Sequence, residues 1–350
     1  MTIDWRTPEN RREGFQRFYT FQLQYRNFPG MVYSMLPAVA DALELDDDQR
    51  AWLAWLNGNT QNVVTSLVLL REAPIPSLWG RAVQFWNDNF TALEWDADRR
   101  HQKGAFGDAT EKWFRRYGTR PAEGWEGLDW EAAWKHAIEQ PFMGRISAWS
   151  MIEFARILLP DVPDAEAWYL EEPSSRSHRN SLCVLAGYDS AWSWDKEDAD
   201  LPLVLDLLPG LHDLAEDLFT EARYRNFPDF DVSRLTMESA LCTWKSMHKS
   251  RRRYPNVYAD MMYERIRKAE ARLGSPLDLL WRIREQTLPA ALRLEANAYD
   301  PGLSEVKQDW FRTQGELLYL HLSFCDMEPS GFEEAVASRA FGLRKEKVWK

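Results

Sequence analysis

Apolar residues recur every three to four positions along most of this chain, which is the spacing of one face of an α-helix. In the stretch 34–45 (SMLPAVADALEL), the side chains of Leu36, Val39, Ala40 and Leu43 fall on one stripe. A stripe of this kind predicts a helix that buries one face against neighbouring helices.

Local signals mark where the predicted helices begin and end. The stretch 46–58 opens with three acidic residues, which suit a helix N-terminus, and reaches Gly58, a residue that commonly ends a helix. The same helical spacing covers the stretches 59–74, 77–90, 108–118, 142–160, 211–222, 236–249, 256–274 and 277–296. Because no convincing set of strands with alternating apolar residues accompanies them, the pattern predicts an all-α, multi-helix globular protein.

Two stretches break the helical pattern, 118–129 and 160–202. The second is long for a connection without regular structure, and long ordered loops often carry function. It divides the chain into two predicted helical halves, 1–162 and 163–350, with a long ordered loop at 163–202 opening the second half. A single integrated domain is the alternative interpretation.

The pentapeptide YRNFP occurs twice, at 25–29 and at 224–228, each time after a predicted helix. Asn27 and Asn226 suit the left-handed conformation that often follows a helix end. The flanking residues of the two copies differ, which favours one type of helix ending used twice over a duplicated module. The pattern leaves open a functional role for the arginine of each copy.

Charge and composition indicate which kinds of molecule this protein is expected to bind. The net charge of −11 disfavours stable binding to nucleic acid, but 245–254 (KSMHKSRRRY) holds five Lys and Arg residues and no acidic one. An enzyme that contacts DNA only transiently can be acidic overall and still present one basic cleft. Most of the 18 tryptophans are predicted to lie in the core, and some could stack on bases.

Cysteine usage and hydropathy indicate the compartment. Cys183, Cys242 and Cys325 are far apart and form no CxxC pair, so neither a zinc site nor a disulfide framework is indicated. Reduced thiols in a cytoplasm are the expectation. No apolar run approaches the roughly 20 residues that span a bilayer, and the charged first residues predict no secretory signal.

The first candidate constellation lies in 94–106 (EWDADRRHQKGAF). Arg99, Arg100 and Lys103 are close to Asp98, so three cations could hold a phosphate or pyrophosphate while the carboxylate orients a nucleophile. A solvated helix end with local ion pairs explains the same spacing, and spacing alone favours that explanation.

The second constellation is 174–181 (SSRSHRNS), within the predicted loop. Arg179 could present donors to an anion, Asn180 could pair with a base edge, and His178 could accept a proton. A polar surface loop is an equally good explanation of these residue types.

The third constellation spans 241–266. Lys245, Lys249, Arg252 and Arg253 recur at helical or near-helical intervals ahead of Tyr254. A basic helix end followed by Tyr254 and Tyr258 suits a phosphate backbone and a stacked base. Basic runs are more often solvated faces, although this one is dense for so acidic a chain.

The three constellations, in this order, resemble the phage amino acid:DNA transferases, also called α-glutamyl/putrescinyl thymine pyrophosphorylases. The resemblance runs from about residue 18 to residue 266. It rests on four short segments, DQRAWLAWLNGNT, DADRRHQK, SHRN and LCTWKS…RRRYPNVYAD. After Asp260 the family pattern usually has an arginine, and this chain has Met261, which sets that helix face apart from the family.

The resemblance implies a DNA-modifying enzyme in a host cytoplasm. Its substrates would be double-stranded DNA carrying 5-pyrophosphoryloxymethyl-uracil and a free amino acid or polyamine, joined at the exocyclic carbon with release of pyrophosphate. No cofactor and no membrane are implied, and whether a metal assists pyrophosphate release stays open. The modified base would leave the duplex stack to be reached.

The resemblance also suggests roles for the candidate residues. Asp98 or His178 would accept the amine proton. Arg99, Arg100 and Lys103 would hold pyrophosphate, and Arg179 and Asn180 would contact the leaving group and the base edge. Arg252 and Arg253 would help to hold pyrophosphate or bind the DNA backbone, and Lys245 would belong to the same pyrophosphate and DNA contacts. Tyr254 and a tryptophan would stack on the flipped base.

Three other interpretations compete with the transferase. One is a relative of helical DNA glycosylases, because 207–219 is similar to a helix-hairpin-helix turn that lacks its second glycine. Another is a non-enzymatic helical adaptor with an acidic surface. A kinase acting on hydroxymethyluracil is disfavoured because the chain has no GxxxxGK[ST] motif.

Overall fold

A computed structural model describes residues 8–25, 32–95, 102–171, 176–188, 201–244 and 261–287. Within these ranges the chain forms thirteen α-helices and no strand, which confirms the all-α prediction. None of the described helices is both long and apolar enough to pass through a bilayer.

The helices group into two compact units that are interleaved along the chain. Unit 1 contains α1 (Pro8–Tyr25), α9 (Arg176–Leu185), α10 (Leu201–Asn226) and α11 (Arg234–Trp244). Unit 2 contains α2 (Val32–Ala42), α3 (Asp47–Thr60), α4 (Val63–Glu72), α5 (Trp79–Asp88), α6 (Phe106–Tyr117), α7 (Trp130–Ile138), α8 (Arg145–Leu158), α12 (Met261–Leu273) and α13 (Asp278–Thr287).

These units differ from two consecutive halves divided at residue 162. The first helix of the chain joins unit 1 with α9–α11, and the helices α12 and α13 join unit 2 with α2–α8. The hydrophobic pattern indicates which face of each helix is buried but carries no information about which helix covers it.

Helix α3 forms the centre of unit 2, where it packs against α8 and α4. It begins with a capping box, because the Asp46 carboxylate accepts from the Gln49 backbone N–H at 2.9 Å and the Gln49 side chain accepts from the Asp46 N–H at 3.0 Å. The helix ends at Thr60, after which Gln61 adopts the left-handed conformation. The prediction that Gly58 ends this helix is therefore wrong.

Gly58 instead allows a close approach between α3 and α8. A Cβ atom at this position would lie 2.1 Å from Cε and 3.1 Å from Sδ of Met151, which is buried in α8. The absence of a side chain thus lets the two helices pack, at the conformational cost of a glycine inside a helix.

The corner between α3 and α4 is held by buried polar side chains. The Thr60 and Ser66 hydroxyl oxygens lie 2.7 Å apart, and the Ser66 hydroxyl lies 3.1 Å from Oδ1 of Asn57. The Asn62 side chain caps α4 by accepting from the Thr65 backbone N–H at 3.1 Å. These contacts satisfy polar groups at a turn that the surrounding helices exclude from water.

Aromatic rings fill much of the interior of unit 2. The Trp55 and Trp113 rings stack with centroids 5.1 Å apart, and Trp52 lies 5.3 Å from Trp113. All three indoles are buried, as the predicted core role of most tryptophans requires. His136 packs between the rings of Tyr117 and Trp125, at centroid distances of 5.1 and 4.4 Å.

Substitution of Gly58 tests the close approach of α3 and α8. Gly58→Ala is expected to lower the free energy of unfolding by about 1–3 kcal/mol, because Met151 must be displaced from a packed site. In a double-mutant cycle measured by urea unfolding, Met151→Ala should cost less in the Gly58→Ala background than alone. Additive effects would contradict the contact.

The matched control is Gly80, which is exposed in α5 and has no atom within 4 Å of a Cβ built upon it. Gly80→Ala should raise the free energy of unfolding by about 0.5–1 kcal/mol, the ordinary gain from replacing glycine in a helix.

The packing of His136 predicts a pH dependence of stability. Burial and, to a smaller extent, the nearby Arg116 cation lower the pKa of His136 to about 4, although the Glu139 carboxylate acts in the opposite direction. Between pH 6.5 and 4 the unfolded chain binds a proton here that the folded chain does not. Stability should therefore be highest above pH 6.5 and fall as the pH decreases to 4, by up to about 3 kcal/mol from this residue.

Urea unfolding at pH 7 and pH 4.5 measures this effect. His136→Gln removes the titrating group, so the variant should lose less stability than the parent over that interval. Equal losses in both proteins would show that His136 does not cause the pH dependence.

Candidate functional site

Helix α9 places four consecutive polar side chains inside unit 1. His178, Arg179, Asn180 and Ser181 are each at most 1% exposed. Successive residues of a helix point about 100° apart, so four buried neighbours mean that this turn is enclosed around nearly its whole circumference. Within unit 1, α9 packs against α11, α10 and α1.

This arrangement corrects the prediction that these residues lie in the loop 163–202. Residues 176–185 are helical, and the polar side chains are buried rather than displayed on a surface loop. The first turns of this helix are polar and enclosed, so no apolar stripe marks them in the sequence. Helix α7 is likewise absent from the predicted helices.

His178 contacts a carboxylate that the sequence analysis did not identify. Its Nδ1 atom lies 3.2 Å from Oε1 of Glu238 on α11, and the two side chains are 1% and 8% exposed. A buried carboxylate is expensive to desolvate unless it has a partner. The signal in the sequence is a single acidic residue among small and apolar neighbours in the stretch 235–244 (LTMESALCTW).

Arg179 extends to a backbone carbonyl. Its Nη1 atom donates to the Leu170 oxygen at 3.0 Å. One turn further along α9, burial raises the pKa of the Cys183 thiol to about 12, although the positive charge of Arg179 acts in the opposite direction. Cys183 is therefore a protonated, unreactive thiol at neutral pH.

Ser181 completes the enclosed turn. Its hydroxyl is buried, and among the described residues it has no hydrogen-bond partner. A helical serine commonly donates to the carbonyl four residues earlier, so a hydroxyl without that bond has capacity left for another group.

A network of charged side chains ties the helices around α9 together. Arg234 of α11 donates to both carboxylate oxygens of Glu216 on α10, at 3.0 and 2.9 Å. Trp168 donates to the same carboxylate at 2.8 Å, and the Arg234 guanidinium lies 4.4 Å from the Phe219 ring centroid. The stretch 167–171, which contains the acceptor of Arg179, is thus fastened to α10.

Helix α1 closes the other end of α9. The buried Arg11 guanidinium donates to the Val184 carbonyl at 2.7 Å, in the last turn of α9. The same carbonyl accepts from the Gly187 backbone N–H at 3.1 Å, and the cation lies at the end of the helix that attracts positive charge.

The second copy of YRNFP has a structural role. The Arg225 guanidinium pairs with Glu13 and Glu221, each at 2.6 Å. Asn226 is the last residue of α10, and its side chain donates to the Ala222 carbonyl at 2.8 Å. Asn226 is not in the left-handed conformation, so that part of the prediction is wrong. Residues 26–29 of the first copy lie outside the described residues.

Lys103 is the described member of the first constellation, and it belongs to unit 2. Its Nζ atom donates to the Leu93 carbonyl at 2.7 Å and lies 4.4 Å from the Phe90 ring centroid and 5.2 Å from that of Trp86. Burial lowers the pKa of this ammonium below its usual value. These contacts favour an internal anchor over a phosphate ligand.

The other candidate residues fall in parts of the chain that the structure does not describe. Asp98, Arg99 and Arg100 lie outside the described residues, as do Lys245, Arg252, Arg253 and Tyr254. The structure therefore brings His178, Arg179 and Asn180 together in one turn of α9. Across the described ranges, no group of three or more His, Cys, Asp and Glu side chains is arranged to hold a metal ion.

The anchoring role of Lys103 predicts a loss of stability in Lys103→Met, which keeps the apolar stem but removes the hydrogen bond to Leu93. The free energy of unfolding should fall by about 1–3 kcal/mol in urea unfolding. The control is Lys112→Met, which removes an exposed ion pair with Asp108 and should change stability by less than about 0.5 kcal/mol. Unchanged stability of Lys103→Met would contradict the anchoring role.

No family model, no curated protein and no solved structure matches this chain. Its function is therefore inferred from its own residues and their contacts.

Proposed function

We propose that this chain transfers an amine to a pyrophosphate-activated thymine in DNA. The amine nitrogen forms a bond to the exocyclic carbon of 5-pyrophosphoryloxymethyl-uracil. The carbon–oxygen bond to pyrophosphate breaks, and its electron pair leaves with the pyrophosphate. The proton released by the amine passes to a base on the enzyme.

The observation that supports this proposal is the buried polar turn at residues 178–181 of α9. This reaction needs a proton acceptor, a cation near the leaving group and a donor–acceptor group for the base edge. His178, Arg179 and Asn180 supply one side chain of each type within three consecutive residues, all of them buried. Burial strengthens the interaction of such groups with the charges that develop in a reaction.

The energetics of the turn favour a functional role over a merely structural one. Desolvating a guanidinium, an imidazole and a carboxylate together costs several kcal/mol before their mutual contacts compensate. Apolar residues of similar volume would fill this space between α1, α10 and α11 without that cost. A cluster retained at this cost is more typical of a functional site than of the interior of a non-enzymatic adaptor.

The proposed roles follow from the residue types and from the resemblance to the transferases. His178 accepts the amine proton, Arg179 stabilises the negative charge on the departing pyrophosphate, and Asn180 contacts the edge of the flipped base. The resemblance also assigns Arg99 and Arg100 to the pyrophosphate, and both lie outside the described residues. Lys103 is left out of this set because its ammonium already binds the Leu93 carbonyl.

Nucleoside mass spectrometry tests the proposal. The protein is incubated with DNA bearing 5-pyrophosphoryloxymethyl-uracil and a pool of amino acids and polyamines, and the DNA is then digested. A new thymidine adduct and released pyrophosphate are expected. An unchanged nucleoside with every amine would contradict the transferase, and abasic DNA would indicate a glycosylase instead.

Arginine variants test the pyrophosphate site in the same assay. Arg99→Ala and Arg100→Ala should each lower kcat by about 100-fold or more, because a group that stabilises the leaving group is lost. Arg81 is an exposed arginine of α5, and Arg81→Ala serves as the control with full activity. Full turnover in both site variants, with thermal unfolding unchanged, would remove these arginines from the mechanism.

A further inference from the structure

We infer that Glu238 is a positioning residue that holds His178 as the Nδ1-protonated tautomer and so makes Nε2 the proton-accepting atom. The role of His178 in the reaction rests on the proposed function. Its tautomer is inferred from the contact between α9 and α11, whatever the reaction is. No sequence pattern identified Glu238.

The tautomer of His178 follows from which of its two ring nitrogens contacts Glu238. It is Nδ1, and not Nε2, that lies 3.2 Å from a carboxylate oxygen of Glu238. A neutral imidazole has one N–H group and one lone pair, and a carboxylate only accepts hydrogen bonds. The proton of a neutral His178 therefore resides on Nδ1, and the lone pair resides on Nε2.

The burial of His178 and Glu238 determines how strongly the carboxylate acts on the imidazole. Both side chains are buried, so their interaction is weakly screened by water. A histidine whose Nδ1–H donates to a carboxylate is held in one tautomer and one ring orientation, and the imidazolium that forms when it takes a proton is stabilised. These are the two properties that a proton acceptor for an incoming amine needs.

Other charged groups are carried by α9 and by each helix packed against it. The helix itself carries Arg176 and Arg179, and α11 carries Arg234 one turn before Glu238. Helix α10 contributes Glu216 and α1 contributes Arg11. Arg234 and Glu216 compensate each other through three hydrogen bonds, whereas the Glu238 carboxylate contacts His178 directly.

A structural ion pair is the competing explanation of the same contact. In that case His178 would be a permanent imidazolium that neutralises Glu238, and Nε2 would carry a proton at neutral pH. The two explanations therefore differ in the number and position of the imidazole protons.

Nitrogen NMR of the full chain, labelled with 15N-histidine, measures this difference. The chain has six histidines, and loss of one signal in His178→Gln identifies the resonance. At pH 8 we expect a protonated Nδ1 and an unprotonated Nε2. A protonated Nε2, either as the other tautomer or as imidazolium, would overturn the inference.

Glu238→Gln tests whether the negative charge of Glu238 favours protonation of His178. Its amide oxygen can still accept from Nδ1–H, but the negative charge is gone, so the pH at half-protonation of His178 should fall by about one unit or more. The matched control is Glu216→Gln, which removes a carboxylate from the same network without touching His178 and should leave this midpoint in place. An unchanged midpoint in Glu238→Gln would overturn the inference.

Kinetics then connect the pair to the reaction. The acidic limb of the pH profile of kcat/KM should move to lower pH in Glu238→Gln by the same amount as the NMR midpoint, whereas a purely structural pair would lower activity without moving the limb. If Glu238→Gln does not fold, the tautomer of His178 measured in the wild-type chain tests the inference by itself. If the wild-type chain transfers no amine, the proposed function fails while the NMR result still decides the pairing.

Discussion

The enclosure of polar side chains by unit 1 is the constraint on which the other contacts of that unit depend. Once His178 and Arg179 are removed from water, each must find a partner within the protein. Glu238 provides one partner and the Leu170 carbonyl provides another. The positions of α11 and of the stretch 167–171 are thereby tied to α9.

The same constraint explains the outer network of unit 1. A carbonyl that accepts from a buried guanidinium must be held still, and Trp168 and Arg234 hold that stretch through the carboxylate of Glu216. Arg11 donates to a carbonyl at the far end of α9. Groups fastened in this way need little reorganisation when charge develops beside them, which is the general advantage of a preorganised site.

Unit 2 is stabilised by a different balance of forces. Its interior relies on stacked indoles and on the close approach of α3 and α8 at Gly58, and short buried polar side chains such as Thr60 and Ser66 satisfy one helix corner. Lys103 follows this pattern, since its ammonium lies on two aromatic rings and binds a carbonyl. Its positive charge is used internally, which spacing along the sequence could not reveal.

The sequence by itself determined the all-α architecture and most of the helices, because apolar spacing and capping residues such as Asp46 act over a few positions. Leu36 and Val39 are buried as their stripe predicts, whereas Leu43 at its end is 41% exposed. Only the tertiary structure decided that α9 is helical, that Glu238 meets His178 and that Gly58 lies inside a helix. These outcomes depend on which helices pack together, and the partners are separated by tens of residues along the chain. No local pattern records such pairings.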